Sequence, residues 1–187
     1  IGTDSRVGGL IGNNDGAVER CFATGAVSGD YCVGGLLGWN TSTKVKNCYA
    51  QGTVGTITCA GGLVGANRGF ITTCYATGET TATGYPKESG GLIGIDNGTI
   101  TNSYWDSTTT KISGGKTTAQ MKMQSTYVGW DFANTWTIAS GSYPTLAVGG
   151  SIKITISPTD AVTSGAKWSA NGGATWNASG ASVSNPA

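Results

Sequence analysis

The 187 residues contain no histidine, and charge is scarce: Lys, Arg, Asp and Glu together make up 11% of the chain, with a net charge of +1. Without histidine there is no Ser-His-Asp or Cys-His relay and no imidazole ligand for zinc. A nearly neutral chain offers no basic footprint for nucleic acid and no polybasic patch for a membrane surface. No apolar run approaches the ~18 residues of a membrane-spanning helix. The phosphate-cradling loop, the dinucleotide fingerprint and the calcium-binding nonapeptide G-G-x-G-x-D are all missing. The chain opens as IGTDSRVGG, without Met or a signal-peptide pattern, and ends as SVSNPA. It reads as a piece of a longer protein.

Glycine is abundant, with 32 residues, but it does not recur at every third position, which excludes a collagen helix. It marks a longer period instead. Gly-Gly-Leu recurs at Gly8, Gly34, Gly61 and Gly90, in steps of 26, 27 and 29 residues. A second signal keeps the same phase: Cys21-Phe22-Ala23, Cys48-Tyr49-Ala50, Cys74-Tyr75-Ala76 and Ser103-Tyr104-Trp105. Val18, Val45, Ile71 and Ile100 lie between the two. The apolar runs are short, β-branched or aromatic, and bounded by Gly and Asn, which predicts strands joined by tight turns. One such unit cannot bury its own apolar side chains, but stacked units can. The expected fold is all-β: a parallel β-solenoid of about four coils, with a C-terminal aromatic cap and a partial antiparallel β module. Glycine serves such a fold at corners and at close backbone approaches. Asn14, Asn40, Asn67 and Asp96 form a column just past each repeat of GLxG, and a ladder of turn side chains is expected there.

The stretch VGGLIGNNDGAVERCFATGAVSG and its later copies resemble the GLUG repeat of bacterial and archaeal surface proteins. The resemblance covers residues 7 to about 106 and implies a β-helix within a large secreted, adhesin-like protein. It implies no shared catalytic motif. The third copy departs in its longer tail ETTATGYPKES, and the fourth in Ser103 and Trp105.

Three segments are expected: the solenoid over 1–106, a cap over 107–149 with one short helix, and a β module over 150–187. Thr117 or Thr118 is suited to start the helix. Trp130, Phe132, Trp136, Tyr143 and Leu146 follow closely and are expected to lie over the last coil. Trp130, Trp136 and Tyr143 could instead form a platform on which sugars stack. SIKITISP alternates as a half-buried strand does, and Asn171-Gly172-Gly173 signals a hairpin. The piece resembles the start of the small β-sandwich modules of secreted proteins. It is too short for its own core, so it continues beyond the chain or is completed by a partner.

The five cysteines fall in two columns, Cys21/Cys48/Cys74 and Cys32/Cys59. Equivalent residues of neighbouring parallel strands lie about 4.8 Å apart, within the range of about 4.4–6.8 Å that a disulfide tolerates. Cys32 can therefore bridge to Cys59. Cys48 can pair with Cys21 or Cys74 but not both, or the column stays a ladder of thiols. The spacing does not suit zinc. The acids do not stack on one face as a polysaccharide-cleaving site requires: Asp15 shares its column with Thr41, Arg68 and Asn97, and Glu19 aligns with Lys46. Asn40-Thr41-Ser42, Asn97-Gly98-Thr99 and Asn177-Ala178-Ser179 match the glycosylation sequon.

Together these features point away from catalysis and from any cofactor or metal. The expected role is an extracellular or cell-surface structural or adhesive protein, a stiff stalk or a fibre built end to end. Its expected partners are further copies or other surface proteins, with glycans as the alternative if the cap aromatics bind them.

Overall fold

A computed structural model describes residues 5–84, 88–147, 151–153 and 182–184. The chain divides into two compact units, Ile1–Leu146 and Ala147–Ala187.

The first unit is a parallel β-solenoid. Its first coil holds β1 (Arg6–Gly8), β2 (Ile11–Asn14), β3 (Val18–Glu19), β4 (Phe22–Ala23) and β5 (Val27–Ser28). The second holds β6 (Cys32–Gly34), β7 (Leu37–Asn40), β8 (Val45–Lys46), β9 (Tyr49–Ala50) and β10 (Val54–Thr56). The third holds β11 (Cys59–Gly61), β12 (Val64–Asn67), β13 (Phe70–Thr72), β14 (Tyr75–Ala76) and β15 (Thr80–Ala82). The fourth holds β16 (Glu88–Gly90), β17 (Ile93–Asp96), β18 (Thr99–Thr101) and β19 (Tyr104–Trp105). Equivalent strands pair in four sheets of four strands, and β5, β10 and β15 form a sheet of three. Every one of these pairings is parallel and in register, for example Val18↔Val45 and Ile71↔Ile100.

The alternation of side chains sorts each repeat between inside and outside. Leu36, Leu37, Val45, Leu63, Val64 and Ile71 fill the main core, together with the inward Cys and Ala of each Cys-Tyr-Ala stretch. The tyrosine between them points out. The glycines serve close approach. A Cβ on Gly35 or Gly62 would collide with the carbonyl oxygen of Gly62 or Gly91 in the next coil. Gly38 and Gly65 bring two sheets back to back; a Cβ on Gly65 would lie 2.6 Å from Gly38 O and 2.8 Å from Val33 N. None of these glycines has a positive φ.

The left-handed corner sits elsewhere, at Arg20, Asn47, Thr73 and Asn102, with φ between 46° and 54°. Asn tolerates this region, whereas a β-branched Thr does so only at a cost. Thr73→Asn should therefore raise the melting temperature, by about 2–4 °C if the gain is ~1 kcal/mol. A fall in thermal denaturation would show that the Thr73 hydroxyl, which donates to Asn47 Oδ1 at 2.6 Å, outweighs the backbone cost.

After β19 the regular coil ends. The chain forms two short helices rather than the one expected, α1 (Ser107–Thr110) and α2 (Thr118–Met121), then a 3-10 turn (Gln124–Thr126). Thr117 starts α2 through a reciprocal capping box with Gln120. An antiparallel pair, β20 (Trp136–Thr137) with β21 (Thr145–Leu146), completes the unit.

In the second unit, β22 (Ser151–Lys153) pairs antiparallel with β23 (Ser182–Ser184). The expected turn at Asn171-Gly172-Gly173 lies outside the described residues, as does Asn177.

Candidate functional site

The Asn column forms a continuous chain of side-chain hydrogen bonds along the stack. Asn14 Nδ2 donates to Asn40 Oδ1 at 2.9 Å, Asn40 Nδ2 to Asn67 Oδ1 at 2.8 Å, and Asn67 Nδ2 to Asp96 Oδ1 at 2.8 Å. Each acceptor oxygen also takes an amide two residues on: Ser42 N on Asn40, Gly69 N on Asn67 and Gly98 N on Asp96. Asp96 has no N–H to pass on, so donation along the ladder ends there. Asn40 and Asn67 are fully enclosed. The amide of Asn40 is thus committed to the ladder in the folded chain, whereas Asn97 of the second sequon is exposed.

The outward rings build a second column. Phe22 stacks on Tyr49 at 4.9 Å, and Tyr49 on Tyr75 at 5.0 Å, with planes within 9°. The cap aromatics lie along this flank of the solenoid, from the second coil to the fourth, while Ile112 and Lys116 meet Trp105 and Asp106 at the end of the last coil. Trp136 meets Tyr49 and Tyr75, and Trp130 meets Tyr75 and Tyr104. Polar tips fix the docking: Trp130 Nε1 donates to Asn102 O at 2.7 Å, Trp136 Nε1 to Asn47 Oδ1 at 3.4 Å, and the Tyr75 hydroxyl to Pro144 O. Burial raises the Tyr75 and Tyr127 hydroxyls well above the ordinary tyrosine range. Trp130 and Trp136 are 8% and 1% exposed and tilted 36° to each other. Stacking on a sugar needs an open, level face, and these indoles present none. Tyr143 stacks on Tyr75, with Lys122 over its ring. Phe22 stays exposed at the foot of the column.

The C-terminal end of the solenoid is partly closed. In lower coils Ala50 and Ala76 pack on Gly35 and Gly62; in the fourth coil Trp105 lies on Gly91. The indole takes the place that the carbonyl of a following Gly would occupy. Its Nε1 donates to Ile112 O at 3.2 Å, and Lys116 bridges in parallel beside Asp106. A cavity of about 200 Å³ remains between Trp105, Ile112, Ile100 and Ile93.

All five cysteines are thiols in the structure. In one column each thiol donates to the carbonyl two residues back: Cys21 to Glu19 at 3.3 Å, Cys48 to Lys46 at 3.1 Å and Cys74 to Thr72 at 3.2 Å. Ser103 makes the same bond to Thr101 at 2.9 Å. The bond spans the left-handed corner residue, so one hydroxyl or thiol per coil holds that corner. Burial raises the Cys74 thiol far above the ordinary range, while the thiol of Cys74 lowers that of Cys48. Cys32 and Cys59 lie in a different sheet, directly opposite each other.

The acids remain dispersed. Glu19 pairs with Lys44 at 3.1 Å, an exposed bridge of small energetic weight. Asp131 accepts the amides of Ala133 and Asn134. Asp106 is enclosed, accepts the amides of Thr108 and Thr109 at the start of α1, and accepts the Tyr143 hydroxyl at 2.6 Å. Burial pushes its carboxyl up, but the hydrogen bonds from Tyr143, Thr118 and the two amides outweigh this and leave the pKa below its usual value. Burial and the Asp106 carboxylate push the Tyr143 hydroxyl up to about 12. A carboxylate depressed on folding contributes stability that is present above its unfolded pKa, about 4, and is lost as pH falls through the folded value. Tryptophan fluorescence should thus report loosening of the cap below about pH 4 in the parent chain. Asp106→Asn should be less stable at neutral pH and show a shallower acid dependence. Identical acid profiles would remove Asp106 from this role.

Two arrangements were not read from the sequence. Trp39 is flanked by Arg6 at 4.4 Å and Arg68 at 5.0 Å, guanidinium over ring. The aromatic column was visible only as the middle letter of Cys-Tyr-Ala, where alternation turns it outward. Among the described residues no cluster of His, Cys, Asp and Glu is arranged to hold a metal ion, and no helix is long and apolar enough to cross a membrane.

Residues 3–28 and 29–55 match the family model of the GLUG motif, each stretch covering about one coil. No curated protein and no solved structure matches the chain. The first two coils are therefore GLUG motifs, and this part of the chain is a GLUG-repeat segment folded as a β-solenoid.

Proposed function

We propose that the chain serves as a structural spacer of a cell-surface protein, a stiff stalk element that carries or separates other parts of that protein. GLUG repeats on a β-solenoid fit a repeat-type surface protein. The observation that carries the reading is where the polar and aromatic side chains go. The Asn column is bonded to itself, and the indoles of the cap are enclosed against the tyrosine column. Their chemistry is spent on holding the stack in register, which is what a rigid spacer needs.

Assembly end to end into a fibre is less well supported, because Trp105 occupies the place where a further coil would meet Gly91. The enclosed indoles likewise give no support to glycan binding by the cap. A role in adhesion then rests on parts carried by the stalk. The test is antibody raised against residues 5–146 and applied to intact cells of the source organism. Labelling of unpermeabilised cells is expected. Labelling only after permeabilisation would overturn the surface assignment.

A further inference from the structure

The two cysteine columns differ in a way that separates their roles. Cys21, Cys48, Cys74 and Ser103 repeat one hydrogen bond in all four coils. A hydroxyl serves the fourth coil as well as a thiol serves the others, so that column needs a donor and not sulfur. The other column reads Arg6, Cys32, Cys59, Glu88. Here sulfur is confined to two adjacent coils, with unrelated residues above and below. Both cysteines are buried, and their side chains meet in a small apolar cluster with Trp39, Ala66 and Ile95. The Cys59 thiol donates to Gly65 O at 2.8 Å, and the Cys32 thiol is close enough to raise it further above the ordinary range. In-register parallel strands hold Cα atoms about 4.8 Å apart, inside the disulfide window. A cavity of about 140 Å³, lined by Tyr31, Thr58, Glu88 and Ile95, borders Cys59.

We propose that Cys32 and Cys59 are joined by a disulfide that closes the second coil into a covalent ring, while Cys21, Cys48 and Cys74 remain thiols. The oxidant is a disulfide of the secretory environment, small or protein-borne. A deprotonated cysteine of the pair attacks one oxidant sulfur and expels the other as a thiolate. The second cysteine, deprotonated in turn, attacks the mixed disulfide and expels the remaining oxidant thiolate. Two protons leave the cysteines, two electrons reduce the oxidant to a dithiol, and one S–S bond forms in the protein. The ring spans residues 32–59, so a chain peeled from either end stops at the staple.

The test is oxidative refolding of the chain with oxidised and reduced glutathione, followed by denaturation, alkylation with N-ethylmaleimide and mass spectrometry. Three adducts are expected, assigned by fragment ions to Cys21, Cys48 and Cys74, with Cys32 linked to Cys59. Five adducts, or a bridge that uses Cys21, Cys48 or Cys74, would overturn the proposal. Adding reductant should lower the melting temperature of the oxidised parent by on the order of 5–10 °C and leave Cys59→Ala unchanged. Should Cys59→Ala not fold, the adduct count on the parent chain decides alone. Pulling the oxidised chain from its termini should yield a contour shorter by about 9 nm than pulling the reduced one, and equal contours would contradict the ring.

Discussion

Replacing Gly62 with alanine is expected to abolish the stacked fold, whereas replacing Gly55 with alanine leaves the melting temperature within about 2 °C of the parent. The two glycines are seven residues apart, Gly55 in the second coil and Gly62 in the third, and differ in what surrounds them. A Cβ on Gly62 would strike the carbonyl oxygen of Gly91 in the next coil and lie 2.9 Å from the Cβ of Ala76. Neither neighbour can yield: one is backbone in a hydrogen-bonded ladder, and the other is a buried methyl. The coils would have to separate, and every in-register bond near them would lengthen. A cost above about 4 kcal/mol is expected, among the largest a single substitution produces. A Cβ on Gly55 meets nothing within 4 Å. There alanine only removes freedom from the unfolded chain. Circular dichroism with thermal melting reads both. Equal tolerance at the two sites would mean that the coils are not in contact through their glycines.

The second large effect is expected at Asn40. Its oxygen accepts from Asn14 Nδ2 and Ser42 N, and its amide donates to Asn67. Alanine would leave two buried donors without acceptors and remove one donor, in a position with no exposed surface. Each unsatisfied buried group costs about 1–3 kcal/mol, so a total of about 3 kcal/mol or more is expected. Asn14→Ala should cost far less, about 1 kcal/mol. Asn14 stands on the first described rung, and Asn40 Oδ1 would keep its bond from Ser42 N. Urea denaturation of the two variants gives the comparison. Equal losses would show that the ladder bonds do not act as a chain.

The sequence reveals those features of the fold that stacking repeats. Every coil must supply the same residue type to a shared column, so Gly-Gly-Leu, the Asn rung and Cys-Tyr-Ala declare themselves by phase. The capping box is local and equally readable, because Thr117 and Gln120 are neighbours on one turn. The docking of the cap is not readable in this way. Nothing in residues 107–146 repeats, and no pattern says that Trp136 meets Tyr49 rather than the end of the core. The left-handed corner was hidden for another reason. Arg20, Asn47, Thr73 and Asn102 share no one residue type, with Asn in only two of the four coils, because the corner is held by the bond from the residue that follows. Glycine, the usual mark of such a corner, is used here for close approach. Trp105 was visible as a departure from the alanine of earlier copies, but its role as a cover for Gly91 needed the structure.

We propose a stiff surface spacer whose side chains hold the coils in register. Electron cryotomography of intact source cells, with gold-labelled antibody against residues 5–146, tests it most directly. Label is expected on straight projections, at one fixed distance from the cell envelope. Label scattered over a range of distances, or confined to the cell interior, would contradict it.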